Sequence, residues 1–149
     1  MIEIERKWLC DINPDSLKNG IYIEDLYISD KVRIRKQDKN EHWIVTIKGS
    51  GTLKRSEYEF PIFVKPEFSI RPIRKTRYII NFKNQNFEVN KFHDILYKGY
   101  SLLLAELELR EENQPIQLPT WIKQEVTEDE KFYGYNLSKF IQYSDFKLV

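Results

Sequence analysis

The chain has 149 residues, with 24 Lys and Arg against 23 Asp and Glu, so its formal net charge is only +1 although 32% of its residues are charged. That length suits a single domain spanning residues 1–149, and the balanced charge excludes a protein that holds a nucleic acid duplex by bulk basicity. One cysteine, Cys10, excludes an intramolecular disulfide, two histidines exclude a Cys/His zinc set, and no run approaches the ~20 apolar residues of a membrane helix; a cytoplasmic protein without membrane contact is expected, with oxygen ligands for any metal.

The first predicted strand holds Glu3-Ile4-Glu5-Arg6-Lys7, with Ile2, Ile4 and Trp8 on one face and Glu3, Glu5 and Lys7 on the other, because strand side chains alternate with a period of two. Asn13-Pro14 then reads as the cap and first turn of a helix of about two turns, closed by Gly20. Extended segments follow at roughly 21–28, 31–37, 42–48, 55–61, 71–81, 86–92 and 103–110, joined by turn-like clusters such as Asp38-Lys39-Asn40 and Lys83-Asn84-Gln85-Asn86. Gly49-Ser50-Gly51 lacks the Gly-Lys-Ser/Thr of a phosphate loop and reads as a hairpin connection. Pro66-Glu67-Phe68 is expected to form a short helical crossing. Strand periodicity stops at Pro115, and Asn136 reads as the cap of a helix docked through Leu137, Phe140 and Ile141. The fold class is therefore mainly β: an eight-stranded antiparallel barrel with a few short helices packed outside.

The charged row of the first strand recurs. Arg33 and Arg35 lie opposite Val32 and Ile34; Thr46 and Lys48 lie opposite Val45 and Ile47; Arg55, Glu57 and Glu59 lie opposite Ser56, Tyr58 and Phe60. Lys75 and Arg77, Glu88 and Asn90, and Glu106 and Glu108 continue the pattern, and the second strand alone lacks a row. This face takes four of the chain's eight arginines and seven of its fifteen glutamates but none of its eight aspartates. A face kept wet has no reason for such a choice, whereas the arginine fork suits phosphate or carboxylate.

Alternation does not say which face is inside. An apolar interior with a charged exterior, as in barrels that carry apolar ligands, is one reading. The inverted barrel puts the charges in the lumen, where like charges about 4 Å apart repel by roughly 4 kcal/mol at an effective dielectric of 20. Phosphates would neutralise its cations, and Mg²⁺ or Mn²⁺ its glutamates.

Glu3-x-Glu5-x-Lys7 resembles the signature of the CYTH superfamily, the triphosphate tunnel metalloenzymes. The later segments follow it in order: Val32-Arg33-Ile34-Arg35, Thr46-Ile47-Lys48-Gly49, Arg55-Ser56-Glu57-Tyr58-Glu59, Lys75-Thr76-Arg77-Tyr78, Ala105-Glu106-Leu107-Glu108-Leu109, and Trp121 followed by Glu125-Val126-Thr127. The resemblance implies a barrel with the charges inside and a triphosphate in its lumen. By motif position, Lys7, Arg33, Arg35, Lys48, Arg55, Lys75 and Arg77 would hold phosphate oxygens, with Tyr27 near the tunnel. Glu3, Glu5, Glu57, Glu59, Glu106 and Glu108 would be metal ligands for Mg²⁺ or Mn²⁺, and Glu5, Lys7, Arg35 and Lys75 would carry the catalysis. Three places depart from the family pattern: Asp25 stands where Gln is common two residues before the tyrosine, Asn90 stands where an acidic residue commonly follows Glu-Val, and Lys131-Phe132-Tyr133 only loosely follows the usual Arg-Tyr-x-Asn.

The expected function is metal-dependent hydrolysis of inorganic tripolyphosphate to pyrophosphate and phosphate, because a short chain leaves little to recognise a base. A class IV adenylate cyclase or a thiamine or nucleoside triphosphatase on the same scaffold, and a non-catalytic polyphosphate- or nucleotide-binding barrel, are the competing readings. A homodimer is expected, and Arg35→Ala or Glu5→Ala is expected to abolish turnover while the fold persists.

Overall fold

The computed structural model describes residues 1–143 and 147–148. Eight strands, β1 (Ile2–Cys10), β2 (Ile21–Ser29), β3 (Val32–Gln37), β4 (Trp43–Lys48), β5 (Lys54–Ile62), β6 (Ile73–Phe82), β7 (Gln85–Tyr97) and β8 (Tyr100–Leu109), pair antiparallel in the cyclic order β1-β5-β4-β3-β2-β6-β7-β8, and β8 returns to β1. The sheet is thus closed as the alternating segments predict. Two of its hairpins are set by left-handed turn residues: Lys83 and Asn84 (φ 49° and 61°) join β6 to β7, and Lys98 and Gly99 (φ 51° and 86°) join β7 to β8. Positive φ at both central residues matches the right-handed twist of the flanking strands.

The second of these turns corrects the expected boundaries, because β7 runs on through His93 to Tyr97 instead of stopping at 92. A third strand against β1, β9 (Ile122–Glu125), lies in the region where periodicity had ended. The helix expected after Asn13 is a single 3₁₀ turn, Pro14–Ser16: the Asn13 side chain caps it by accepting from the Asp15 N–H, but none of its residues is buried, so nothing extends it. No helix forms at Pro66-Glu67-Phe68, where Phe63, Val64 and Phe68 are exposed and offer no buried stripe. The C-terminal helix α1 (Gly134–Tyr143) docks through Leu137 and Ile141 as expected, while Asn136 sits inside it and donates to the Glu130 carbonyl at 2.8 Å. A two-residue strand, β10 (Lys147–Leu148), pairs parallel with β7. Among the described residues no helix is long and apolar enough to cross a membrane.

The apolar residues lie outside and at one end of the barrel. On the outer face of β1, β7 and β8, Ile4, Trp8, Phe87, Val89, Ala105, Leu107 and Leu109 form one core, with Ile12, Leu17, Ile116 and Trp121 from the connecting segments packed against it. Trp8 and Trp121 both meet the Phe87 ring edge-on, with centroids 6.1 and 5.5 Å away. A second core, including Ile73, Phe92, Leu102, Leu104, Val126, Phe132, Leu137 and Ile141, closes one end of the barrel under α1. Burying so many large side chains outside the sheet supplies the hydrophobic stabilisation that the charged lumen cannot.

Candidate active site

The alternate rows of all eight strands converge on a lumen of about 730 Å³. Lys7, Glu5 and Glu3 enter it from β1; Tyr27 from β2; Arg33 and Arg35 from β3; Lys48 from β4; Arg55, Glu57 and Glu59 from β5. Lys75 and Arg77 on β6 and Glu106 and Glu108 on β8 complete the set, so every site residue expected from the sequence lines one cavity. Thr127 and the stretch from Phe132 to Leu137 close it at the α1 end. His93 is outside, with its ring nitrogen 2.7 Å from the Thr76 hydroxyl on the exposed face. Asn90 is fully buried and accepts from Arg77 Nε at 3.0 Å.

Register explains the neighbours. Lys7 stands opposite Glu106, Glu5 opposite Glu108, Glu3 opposite Arg55, and Lys48 opposite Glu57, and paired residues in an antiparallel ladder point to the same side. Several resulting ion pairs are loose: Lys7 to Glu106, Arg33 to Glu59 and Arg55 to Glu3 each span 3.9 Å. Arg33 Nη2 donates to the Thr46 hydroxyl at 3.1 Å, but Arg33 Nε is buried without a partner. Glu57 Oε2 is likewise buried and unpartnered. The lumen thus holds a donor and an acceptor that the protein itself does not satisfy, a costly arrangement unless a ligand completes it.

One residue that the sequence marks only as a departure from the family pattern proves to be a lumen charge. The second strand does carry charge: Asp25 on β2 is fully buried, receives both Nε and Nη2 of Arg35 at 2.7 and 3.0 Å, and lies 3.3 Å from Lys75 Nζ. An aspartate therefore belongs to the face from which composition had seemed to exclude all of them. Burial alone would raise its carboxyl, but Arg35, Lys75 and Arg33 hold it well below the usual carboxylate range.

The other charges are strained in ways that a ligand would relieve. Glu3 is pushed up to about 7 by burial and then by neighbouring Glu57, and Glu5 is held well above the usual range by burial and then by Glu106. Burial would raise Glu106 too, but Lys7, Lys75 and Arg77 hold it below. Burial, aided by neighbouring arginines, brings Lys48 down to about 8 and Lys75 to about 7. Crowded carboxylates that keep a proton at neutral pH sit beside desolvated cations.

For a metal, the donor set is all oxygen. Among the described residues no group of three His, Cys, Asp or Glu side chains is placed to hold an ion by itself. Glu3 with Glu57, and Glu5 with Glu106, are the available pairs, and the unpartnered Glu57 Oε2 belongs to the first. Pairs suit Mg²⁺, which keeps waters and takes one or two carboxylates together with substrate phosphates.

No protein-family model matches the chain. It is 33% identical over 156 aligned positions to an inorganic triphosphatase of Acetivibrio thermocellus, covering 97% of each sequence. It is 32% identical to an inorganic triphosphatase of Nitrosomonas europaea, over 89% of this chain and 93% of the other. Among solved structures, the crystal structure of the inorganic triphosphatase NE1496 superposes with a TM-score of 0.62 at 29% identity, covering 91% of this chain and 93% of that one.

Proposed function

Because the chain belongs to the inorganic triphosphatase family, in line with the tunnel-enzyme motifs it carries, we propose that it hydrolyses inorganic tripolyphosphate to pyrophosphate and phosphate inside the barrel lumen, with a divalent metal. It is a triphosphatase, a hydrolase acting on phosphoric anhydrides. The observation that carries the reading of the lumen is its unsatisfied buried atoms: besides the Tyr133 hydroxyl, which also lacks a partner, there are the Arg33 Nε donor and the Glu57 Oε2 acceptor. One calls for an anion and the other for a cation, and a metal-bound triphosphate brings both.

In this reading Arg33, Lys48, Arg55 and Arg77 grip phosphate oxygens from β3, β4, β5 and β6; the stronger attraction of a polyanion draws Arg33 and Arg55 from carboxylates 3.9 Å away and Arg77 from Glu88 at 3.2 Å. Lys7, held by the Phe132 carbonyl at 3.4 Å, and Lys75 flank the chain near the closed end. A divalent cation at Glu3 with Glu57, or at Glu5 with Glu106, would neutralise phosphate oxygens and sharpen the electrophilic phosphorus. The protein's own part is to fix the chain in line, shed bulk water from its oxygens and stabilise charge as one water molecule bonds to the terminal phosphorus to give phosphate, the phosphoric anhydride bond breaks and pyrophosphate leaves. Nothing in this scheme needs a protein nucleophile.

Phosphorus NMR of purified protein with tripolyphosphate or ATP, in Mg²⁺, Mn²⁺ or EDTA, tests it. Metal-dependent release of pyrophosphate and phosphate from tripolyphosphate, faster than any turnover of ATP, is expected. Turnover unchanged in EDTA would remove the metal from the reading. Tight binding without hydrolysis in either metal would replace it with a polyphosphate-binding barrel.

A further inference from the structure

We propose that Asp25 is a built-in counter-anion that bars the closed end of the lumen to a further phosphoryl group and so makes the tunnel prefer a triphosphate to longer polyphosphate chains. This rests on the triphosphatase reading of the lumen. Its location carries the first part of the argument. Asp25 stands opposite Ile73 in the β2–β6 register, Lys75 stands opposite Phe92, and Ile73 and Phe92 belong to the apolar core that closes the barrel under α1. The next residue of the β2 row, Tyr27, packs against the same core. Asp25 is therefore placed where the charged lumen ends and the apolar cap begins.

The second part is how tightly it is held. The loose pairs of the lumen span 3.9 Å, whereas Arg35 grips Asp25 with both arms of its fork and Lys75 adds a third contact. A carboxylate in a guanidinium fork with an ammonium beside it has the arrangement that a phosphoryl group would take there. Asp25 is 0% exposed, so an incoming anion could displace it only by leaving a bare buried charge. Arg35 and Lys75 thus meet substrate already half neutralised, and a chain pushed deeper than its fit meets a fixed negative charge backed by Ile73 and Phe92. An empty cationic tunnel would favour the longer and more highly charged chain. This one is built to stop it.

The test compares kcat/KM for tripolyphosphate and tetrapolyphosphate in wild-type protein and in Asp25→Asn. The expected result is a tetrapolyphosphate-to-tripolyphosphate ratio at least tenfold higher in the variant, a change that a merely structural role for Asp25 would not produce because it would lower both rates together. Wild-type turnover of tripolyphosphate with an unchanged or lower ratio in the variant overturns this inference alone. Turnover of neither chain by wild-type protein overturns the proposed function and this inference with it. Should Asp25→Asn fail to fold, calorimetric titration of wild-type protein in EDTA decides: tetrapolyphosphate binding more weakly than tripolyphosphate despite its greater charge supports the stop, and tighter binding overturns it.

Discussion

Arg33 and Arg35 sit two residues apart on β3, face the same lumen and are held in opposite ways. Arg35 is locked to a buried carboxylate, while Arg33 keeps a buried Nε with no partner, donates from Nη2 to the neutral Thr46 hydroxyl, and has its nearest carboxylate, the half-exposed Glu59, 3.9 Å away. Their alanine variants should therefore separate. Arg35→Ala strands Asp25 with Lys75 alone and is expected to cost about 3 kcal/mol of stability, as breaking a buried pair does. Arg33→Ala is expected to cost about 1 kcal/mol or less while lowering tripolyphosphate turnover by about a hundredfold or more. Urea denaturation and hydrolysis assays on both variants read the split; equal stability losses would mean that Asp25 does not depend on Arg35. The fold is thus a poorer control for Arg35→Ala than the sequence alone suggested, and Arg33 is the cleaner probe. Arg33, Arg35 and the Glu-x-Glu pairs were legible because each repeats at a spacing of two on its own strand. Asp25 was legible only as a departure from the family pattern and not as a lumen charge, since one acid between Ile23 and Tyr27 makes no row, and only pairing with β3 and β6 brings it against Arg35 and Lys75.

At the level of elements, the segment after β8 is what the strand pattern could not show. It runs over the outer core, adds β9 to β1, and is tied there by the Arg6 fork on Glu125 and by Lys7 N–H donating to the Thr127 hydroxyl at 3.0 Å. Four residues of strand, of which only Ile122 is buried, give too short a pattern to read. The docked helix was legible because Leu137 and Ile141 recur at helical spacing, but its start was not, since Tyr133, the residue before Gly134, is no capping residue. Gly134 is there for space: the Tyr27 hydroxyl fills the position its Cβ would take. Gly134→Ala must either turn Tyr27 or lift α1 from the closed end of the barrel. The expected result is a loss of about 1–3 kcal/mol, typical of overpacking, with a raised KM for tripolyphosphate. Adding Tyr27→Phe should restore part of the loss, and a double-mutant cycle on thermal stability measures that coupling. Strict additivity would show that the helix does not rest on Tyr27.

For the whole molecule, the question that alternation left open was which face of the barrel is inside. A period of two is symmetric about the sheet, so an apolar lumen and a charged lumen are written by the same strands. What decides is what lies over the outer face, and that depends on where the residues after β8 and the Pro14 turn fold back, which is a matter of tertiary contact between Trp121, Ile116, Leu17 and the strands. The outcome places titratable groups in a closed interior, and their proton balance is then a property of the assembled barrel. Lys75 shows it most clearly: burial, with Arg35 and Arg77 nearby, brings its ammonium down to about 7, against an ordinary value of 10.5. Above pH 7 the unfolded chain then binds a proton at this site that the folded protein has released, so the lysine's contribution to stability rises with pH. Groups whose folded values are raised act with the opposite sign: Glu3 and Glu5 from the carboxylate range upward, and Cys10 and Tyr27 only where the unfolded thiol and phenol ionise, near pH 9 and 10; wild-type protein and Lys75→Met share all four, so the difference between the two proteins isolates Lys75. Between pH 7 and 8.5 the stability of ligand-free wild-type protein is accordingly expected to gain on that of Lys75→Met by roughly 1 kcal/mol per pH unit. Urea unfolding of both proteins across that window measures it. A difference that stays flat would mean that Asp25 keeps Lys75 charged throughout, and that the closed end of the lumen carries its full positive charge before any phosphate arrives.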